Sequence, residues 1–319
     1  MRYIARILAL AGLGLAIVLF ARGDIAGVAG LLWSAGPGLF VASVFHVLPM
    51  LANARAWQLL MPETRRPGVW MLTRATWVRE SVNGLLPVAR IGGEVVAYRM
   101  LRRYVRRRSE AAASLVADMG LSILSQAGFA IVGLCLLFSV SHATAGTTKL
   151  FAGVVGMLPL GAAFVLVQRA GTLGVLIRLL ERLFAGRLGF ALTHSLRFDH
   201  ALRNVYERHA DVAACFAWQL IGWVLGAGEI WLVLHFLGHD GSVIDAIVIE
   251  ALVQAISSAA FIVPGALGVQ EGGFVLICAA LGIDTTTALA LATARRVRDL
   301  IVFFPGLLAW QWAEVNASK

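Results

Sequence analysis

The chain has 319 residues, of which 59% are hydrophobic and only 14% are charged. Charged residues make up about a quarter of a soluble globular domain, so the composition excludes that class and indicates a protein embedded in a lipid bilayer. Lys and Arg together number 27 against 18 Asp and Glu, which gives a net charge of +9. Because a charged side chain is costly inside the bilayer, most of these basic residues are expected in the loops between membrane-spanning segments.

The sequence predicts neither a metal site nor a cofactor site. Its three cysteines are Cys135, Cys215 and Cys278. They lack CxxC spacing, so neither a disulfide framework nor a zinc site is supported. No nucleotide-binding, metalloprotease or serine-hydrolase motif occurs. Isolated histidines near the ends of apolar runs, His46 among them, are interpreted as structural or interfacial.

Six apolar runs come close to the roughly 20 residues that a spanning helix needs. They are residues 4–20, 38–60, 111–140, 150–167, 212–237 and 288–312. The first run also resembles a signal peptide, but the sequence around Arg22 is a poor cleavage site, so we predict a retained helix. The runs lack the alternation of barrel strands. The predicted fold is an all-α polytopic integral membrane protein, with residues 1–319 in a single membrane domain.

Arginine placement predicts the orientation, because the cytoplasmic loops of membrane proteins collect Lys and Arg. Basic segments occur at residues 1–6, 62–79, 99–108 and 169–208, whereas residues 141–149, 238–245 and 282–287 contain few basic side chains. Both termini are therefore predicted to be cytoplasmic, in the cell (inner) membrane. The basic segment 169–209 is predicted to form an amphipathic helix at the membrane surface. We assign the basic loops to anionic lipid rather than to nucleic acid.

Two further apolar segments do not fit as crossings. Residues 77–98 have basic loops on both sides, and residues 244–281 have loops poor in basic residues on both sides. Each segment is expected to enter and leave the membrane on one side, the first from the cytoplasm and the second from outside. We therefore predict two re-entrant hairpins, each formed by a broken helix.

The centres of these two segments resemble each other. In both, proline precedes glutamate by seven residues, as Pro87 with Glu94 and Pro264 with Glu271, and glycines lie between them. Proline and glycine interrupt helices. The predicted hinge residues are Pro87, Gly92, Gly93, Pro264, Gly265 and Gly268. Such an inverted repeat places two broken helices around a polar cavity near the midplane. The alternative is that each stretch only kinks an ordinary spanning helix.

Charged residues inside the apolar segments indicate the same cavity, because an intramembrane charge costs about 2.5–3.5 kcal/mol on insertion scales. Asp118 begins a polar stripe that continues through Ser122, Ser125 and Gln126 on one helix face. This stripe is expected to face the interior of the helix bundle.

The last apolar run carries several arginines. Arg295, Arg298 and Asp299 share one helix face, where Arg295 and Asp299 are spaced to pair across one turn. With Arg296, this part of the run contains three arginines and one aspartate. The surplus of positive charge suits an anionic group such as phosphate. The predicted substrate-binding residues are Arg90, Glu94, Asp118, Glu271, Arg295, Arg298 and Asp299.

Two sequence stretches carry a resemblance to a known family. They are ESVNGLLPVARIGGE at residues 80–94 and PGALGVQEG at residues 264–272, followed by Phe304-Pro305-Gly306. With these motifs the chain resembles the lysylphosphatidylglycerol synthase transmembrane-region family, which is UPF0104-like, and is most similar to its hopanoid-biosynthesis-associated subgroup. The resemblance implies a flippase-like membrane domain that handles lipid through Arg90, Glu94, Glu271 and Arg295. The soluble aminoacyl-transferase domain of the bifunctional synthases is absent from this sequence.

Three hypotheses remain open at this point. The first is a transporter that moves a polar or anionic lipid, such as a hopanoid, its precursor or a phospholipid, between leaflets. The second is a scaffold without catalytic activity that gathers lipid-biosynthesis enzymes through its arginine loops. The third is an integral-membrane enzyme that modifies a lipid, although no nucleophile or metal constellation supports it. Membrane lipids are the expected partners in each case.

Overall fold

The structure, a computed structural model, describes residues 14–15, 17–21, 23–62, 66–86, 92–105, 107–140, 189–260 and 263–317. These residues form helices and connecting turns, with no β-strand among them. The helices are α1 (Ile25–Ala35), α2 (Pro37–Phe45), α3 (Val47–Leu59), α4 (Val69–Leu85), α5 (Gly92–Leu101), α6 (Arg108–Val140), α7 (Gly189–Glu207), α8 (His209–Phe236), α9 (Val243–Ala259), α10 (Val269–Ala280) and α11 (Thr285–Ala317). The predicted all-α class is confirmed for this part of the chain.

Within the described ranges, three helical segments are long and apolar enough to cross a membrane. They are Pro37–Leu59, which combines α2 and α3, then α6, and then α8. They coincide with the predicted spans 38–60, 111–140 and 212–237. The predicted span 150–167 and most of the predicted span 4–20 lie outside the described residues.

The long helix α11 covers the last predicted span, residues 288–312. Its 33 residues make it about 50 Å long at 1.5 Å per residue, which is enough to cross a bilayer. It is less apolar than the other three segments because it carries the arginines singled out in the sequence. It packs against α4, α10, α1 and α2, so these charges lie among other helices.

The two segments predicted as broken hairpins form helix pairs. Helices α4 and α5 pack against each other, and so do α9 and α10. The first break follows Leu86, whose backbone is extended (φ −105°, ψ 146°); Pro87 and Arg90 lie outside the described residues. Helix α4 begins at Val69, well before the predicted start at residue 77.

The second break contains a single 3-10 turn at Pro264–Ala266 between α9 and α10. The backbone takes positive φ at Gly265 (62°), Ala266 (48°) and Gly268 (75°). Glycine adopts this left-handed conformation without the steric cost that a Cβ atom imposes. The predicted hinge residues Pro264, Gly265 and Gly268 therefore lie where the chain changes direction.

Helix α9 lies at the centre of the largest apolar cluster, in contact with α6, α8 and α10. Leu134, Ile230 and Phe274 are buried residues contributed to this cluster by those three neighbours. Lipid tails are as apolar as these side chains, so helix association in a membrane depends on close packing. Gly133 of α6 provides it, because a Cβ atom there would collide with the Cβ atom of Ala251 on α9.

Helix α7 falls in the basic segment that was predicted to be an amphipathic surface helix. It packs against α6 and buries Leu202, Val205 and Tyr206. Residues 169–188, the remainder of the predicted segment, lie outside the described part of the chain.

The close approach of α4 and α5 requires glycine at position 93. The Gly93 amide donates a hydrogen bond to Oδ1 of Asn83 at 2.8 Å. A Cβ atom on Gly93 would overlap the carbonyl oxygen of Arg79 and the side chain of Asn83. The neighbouring hinge residue Gly92 begins α5. The first hairpin is thus closed by backbone contact.

We expect Gly93→Ala to destabilise the folded protein by about 1–3 kcal/mol, the usual cost of overpacking, because the added methyl group meets backbone rather than a movable side chain. Thermal unfolding in detergent micelles measures the change. Gly128→Ala is the matched control, since a Cβ atom at this helical glycine has nothing within 4 Å. Equal unfolding temperatures for the two variants would contradict the proposed close packing.

Candidate functional site

Three arginines of α11 each pair with a glutamate on a different helix. The pairs are Arg295 with Glu250 of α9, Arg296 with Glu271 of α10, and Arg298 with Glu229 of α8. The Arg296 Nε atom lies 2.9 Å from Glu271 Oε1, and the Arg298 Nη1 atom lies 3.5 Å from Glu229 Oε2. These ion pairs connect α11 to the three helices α8, α9 and α10.

The predicted surplus of positive charge on α11 is wrong. Each arginine meets a carboxylate from another helix, which the spacing within one helix cannot reveal. Arg295 does not pair with Asp299 in the described structure. The Asp299 Oδ1 atom lies 3.0 Å from Arg298 Nη2, and its Oδ2 atom lies 4.0 Å from Arg296 Nη1. The site therefore contains paired charges and not a cluster of unpaired arginines.

A cavity of about 310 Å³ lies between the two hairpin breaks. It is lined by Gly84, Leu85, Leu86, Gly265, Leu267, Arg296, Asp299 and Leu300. The first three residues precede the first break, the next two belong to the second break, and the last three belong to α11. The pairing of the two segments inferred from sequence thus corresponds to one shared space.

Arg296 is the arginine that reaches this cavity. Its side chain is 26% exposed, compared with 3% for Arg295 and 8% for Arg298. Its Nη1 atom donates a hydrogen bond to the Gly265 carbonyl at 2.9 Å. Arg296 is not among the substrate-binding residues predicted from the sequence, which include Arg295 and Arg298. The adjacent arginines at 295 and 296 are the sequence signal for a charge on a second face of α11.

Glu271 stabilises the second break from inside the protein. Its Oε2 atom accepts a hydrogen bond from the Gly268 amide at 2.7 Å, which caps the start of α10. Its Oε1 atom pairs with Arg296. The side chain, predicted as a direct substrate ligand, is thus engaged in holding the backbone of the break and in orienting Arg296.

A second charged group lies at the base of the first hairpin. The Arg79 Nη1 atom donates to Asp118 Oδ2 at 2.8 Å and lies 3.8 Å from Glu94 Oε2. Asp118 also accepts a hydrogen bond from Gln219 of α8, and Glu94 lies within 3.5 Å of the Asn83 amide. Two of the predicted site carboxylates therefore share one guanidinium.

Arg79 had been assigned to a cytoplasmic basic loop, and that assignment is wrong. The residue lies inside α4, with a side chain only 13% exposed. Its guanidinium also stacks over the Trp57 ring, with 5.5 Å between the guanidinium carbon and the ring centroid. The sequence does not show that α4 already begins at Val69, ten residues before Arg79.

The polar stripe on α6 faces the bundle interior, as expected. Ser125 accepts a hydrogen bond from the Trp223 indole at 3.1 Å, and the Gln126 amide donates to the Ser258 hydroxyl at 2.7 Å. These contacts join α6 to α8 and α9.

His46 occupies the break between α2 and α3 and belongs to the charged interior. Its Nδ1 atom lies 2.7 Å from Glu229 Oε2, and its Nε2 atom lies 2.9 Å from Arg298 Nη1. No sequence pattern indicates these partners, because they are more than 180 residues away along the chain. Among the described residues, no three His, Cys, Asp or Glu side chains converge in a way that could hold a metal ion.

This architecture defines an α-helical integral membrane protein in which residues of two helix pairs and of α11 line one cavity. The chain belongs to the lysylphosphatidylglycerol synthase TM region family, which it matches over residues 4–306. A UPF0104 membrane protein of Methanothermobacter thermautotrophicus is 24% identical over 231 residues, which cover 68% of this chain and 67% of that protein. No solved structure matches the chain.

We expect Glu250→Gln to destabilise the protein by about 3–5 kcal/mol, because it leaves the buried Arg295 charge without its partner. The same substitution at Glu110, whose ion pair with Arg107 is exposed, should cost at most about 1 kcal/mol. Thermal unfolding in detergent compares the two. The double variant Glu250→Gln/Arg295→Gln should recover part of the loss. A Glu250→Gln protein as stable as Glu110→Gln would show that the pair does not hold α9 to α11.

Proposed function

We propose that this protein moves a polar or anionic lipid between the leaflets of the membrane, with the lipid headgroup passing through the cavity between the two hairpin breaks. The substrate is a phospholipid, a hopanoid or a hopanoid precursor. The observation that carries the proposal is the position of Arg296, a partly exposed guanidinium in a cavity that both breaks line.

The size of the cavity favours a headgroup over a whole lipid. Small-molecule pockets range from about 300 to 1,000 Å³, and this cavity, at about 310 Å³, is at the low end. Leu300 lines the cavity and is 60% exposed, so an apolar edge is available to acyl chains that stay in the bilayer. A headgroup could therefore enter sideways while its tails remain in lipid.

Arg296 also connects headgroup binding to the shape of the second break. A guanidinium can donate two parallel hydrogen bonds to a phosphate, as it does to a carboxylate. A phosphate would therefore compete with Glu271 for Arg296. The same guanidinium holds the Gly265 carbonyl, and Glu271 holds the Gly268 amide. Binding at Arg296 therefore weakens the contact with Gly265 in the 3-10 turn and disturbs the Glu271 side chain that caps α10 at Gly268. Movement of the second break can follow from this change.

The proposed topology follows the arginine distribution. Both termini and the basic loops face the cytoplasm, the α4–α5 hairpin enters from that side, and the α9–α10 hairpin enters from the opposite side. Two hairpins that approach from opposite sides give access to one cavity from either leaflet in turn. The family match and the three long apolar helical segments support an integral membrane location.

We expect Arg296→Gln to lower lipid movement at least about tenfold, because the variant loses the charged fork that binds phosphate. Purified protein in vesicles with a fluorescent phospholipid in one leaflet gives the rate. Arg107→Gln is the control, since the Arg107 side chain is 76% exposed and lies outside the cavity.

Leu300→Trp tests the cavity without changing its charge. The larger side chain should occupy the space between the breaks and slow lipid movement to a similar extent, with little change in unfolding temperature because the site is exposed. If Arg296→Gln and Leu300→Trp both move lipid at the normal rate, the cavity is not the route. If lipid delivery in cells instead depends on the loop arginines, the scaffold hypothesis is favoured.

A further inference from the structure

We propose that His46 is a proton-binding switch in the interior of this membrane domain, and that a proton arriving at its Nε2 atom releases Arg298. His46 separates α2 from α3 within the apolar segment Pro37–Leu59. It is the tenth of the 23 residues of this segment, so it lies near the middle of a predicted span.

The neighbours of His46 indicate which of its ring nitrogens carries a hydrogen. Glu229 Oε2 lies 2.7 Å from Nδ1, and an ionised carboxylate only accepts hydrogen bonds, so Nδ1 carries a hydrogen. Arg298 Nη1 lies against the ring edge, 2.6 Å from Nδ1 and 2.9 Å from Nε2. A guanidinium only donates, and Nδ1 already faces Glu229. In the proposed resting state Nε2 is therefore the nitrogen that accepts from Arg298, and the ring is a neutral imidazole between an anion and a cation.

The charges around His46 favour an additional positive charge. Helix α4 contributes Glu80, α8 contributes Glu229, and α11 contributes Arg298 and Asp299. Three carboxylates thus stand against one guanidinium. The Glu250–Arg295 pair interacts electrostatically with Glu229 and His46 but adds no net charge. A proton on His46 reduces the negative excess of this group from two charges to one.

Protonation changes which atom Arg298 can contact. With a hydrogen on Nε2 the ring has no acceptor left, and two cations face each other across less than 3 Å, so Arg298 must move away from the ring. It keeps Asp299 at 3.0 Å as a partner. The carboxylate nearest to the new N–H group is Glu80, whose Oε2 atom lies 3.6 Å from Nε2. The proton remains on the ring, and no other bond is made or broken.

The switch acts on the helix that lines the cavity. Arg298 is two residues after Arg296 on α11, and Asp299, the partner that Arg298 keeps, lines the cavity itself. Movement of Arg298 therefore alters the charges beside the proposed headgroup site. This consequence rests on the proposed lipid movement, whereas proton binding by His46 can be measured independently of it.

Histidine NMR on the full-length protein in nanodiscs tests the proton site directly. With ¹⁵N-labelled histidine, the resonance that disappears in His46→Gln identifies His46, and His235→Gln removes the exposed His235 of α8 as the control. We expect the His46 ring to pass from one neutral tautomer to the doubly protonated form between about pH 8 and about pH 5. Glu80→Gln, which removes the negative charge nearest to Nε2, should change the pH range of this titration. A ring that keeps one state throughout, or a titration indifferent to Glu80→Gln, would overturn the proposal.

Lipid movement in vesicles at the same pH values tests the coupling. We expect a rate about five- to tenfold higher at about pH 5 than at about pH 8, at the low end of measured coupling between sites, and no such ratio in His46→Gln. A rate that is independent of pH in the parent protein would refute the coupling while leaving lipid transport intact. Absence of lipid movement at every pH would refute the transport function, and the NMR titration would still decide the proton site.

Discussion

The pairing of the α11 arginines with glutamates on three other helices is the constraint on which the structure depends. A charged side chain in the bilayer centre costs several kcal/mol unless a partner neutralises it. Arg295, buried with a 3% exposed side chain, has no route to water and needs Glu250. Because the partners come from α8, α9 and α10, satisfying the arginines fixes three helices around α11 at once.

The same ion pairs determine how the cavity is built. Arg296 holds the Gly265 carbonyl and Glu271, and Glu271 holds the Gly268 amide. The second break, whose backbone runs through left-handed conformations, is therefore stabilised by side chains of the site. The first break is closed differently, by the contact of Gly93 with the backbone at Arg79. The second hairpin is held by ion pairs that a charged ligand can disturb. The first hairpin is held by backbone packing, which a charged ligand does not affect.

The all-α class and three of the long apolar helices could be predicted from the sequence because they depend on local composition. The second break could also be located, because Pro264, Gly265 and Gly268 interrupt the helix there. The partners of each charge depend on tertiary packing, so they could not be predicted. Helical spacing placed Arg295 and Asp299 on one face, but it could not show that Glu250 lies opposite. His46 meets Glu229 only after the chain has folded across 183 residues.

The balance of charges within the described interior limits what each residue can do. The connected groups contain seven carboxylates, namely Glu80, Glu94, Asp118, Glu229, Glu250, Glu271 and Asp299. They contain four guanidiniums, namely Arg79, Arg295, Arg296 and Arg298. In the proposed function an anionic headgroup would enter a region whose described charges are already negative in sum, so only an exposed guanidinium could hold it. Arg296 meets that condition, and a proton on His46 lowers the electrostatic cost nearby.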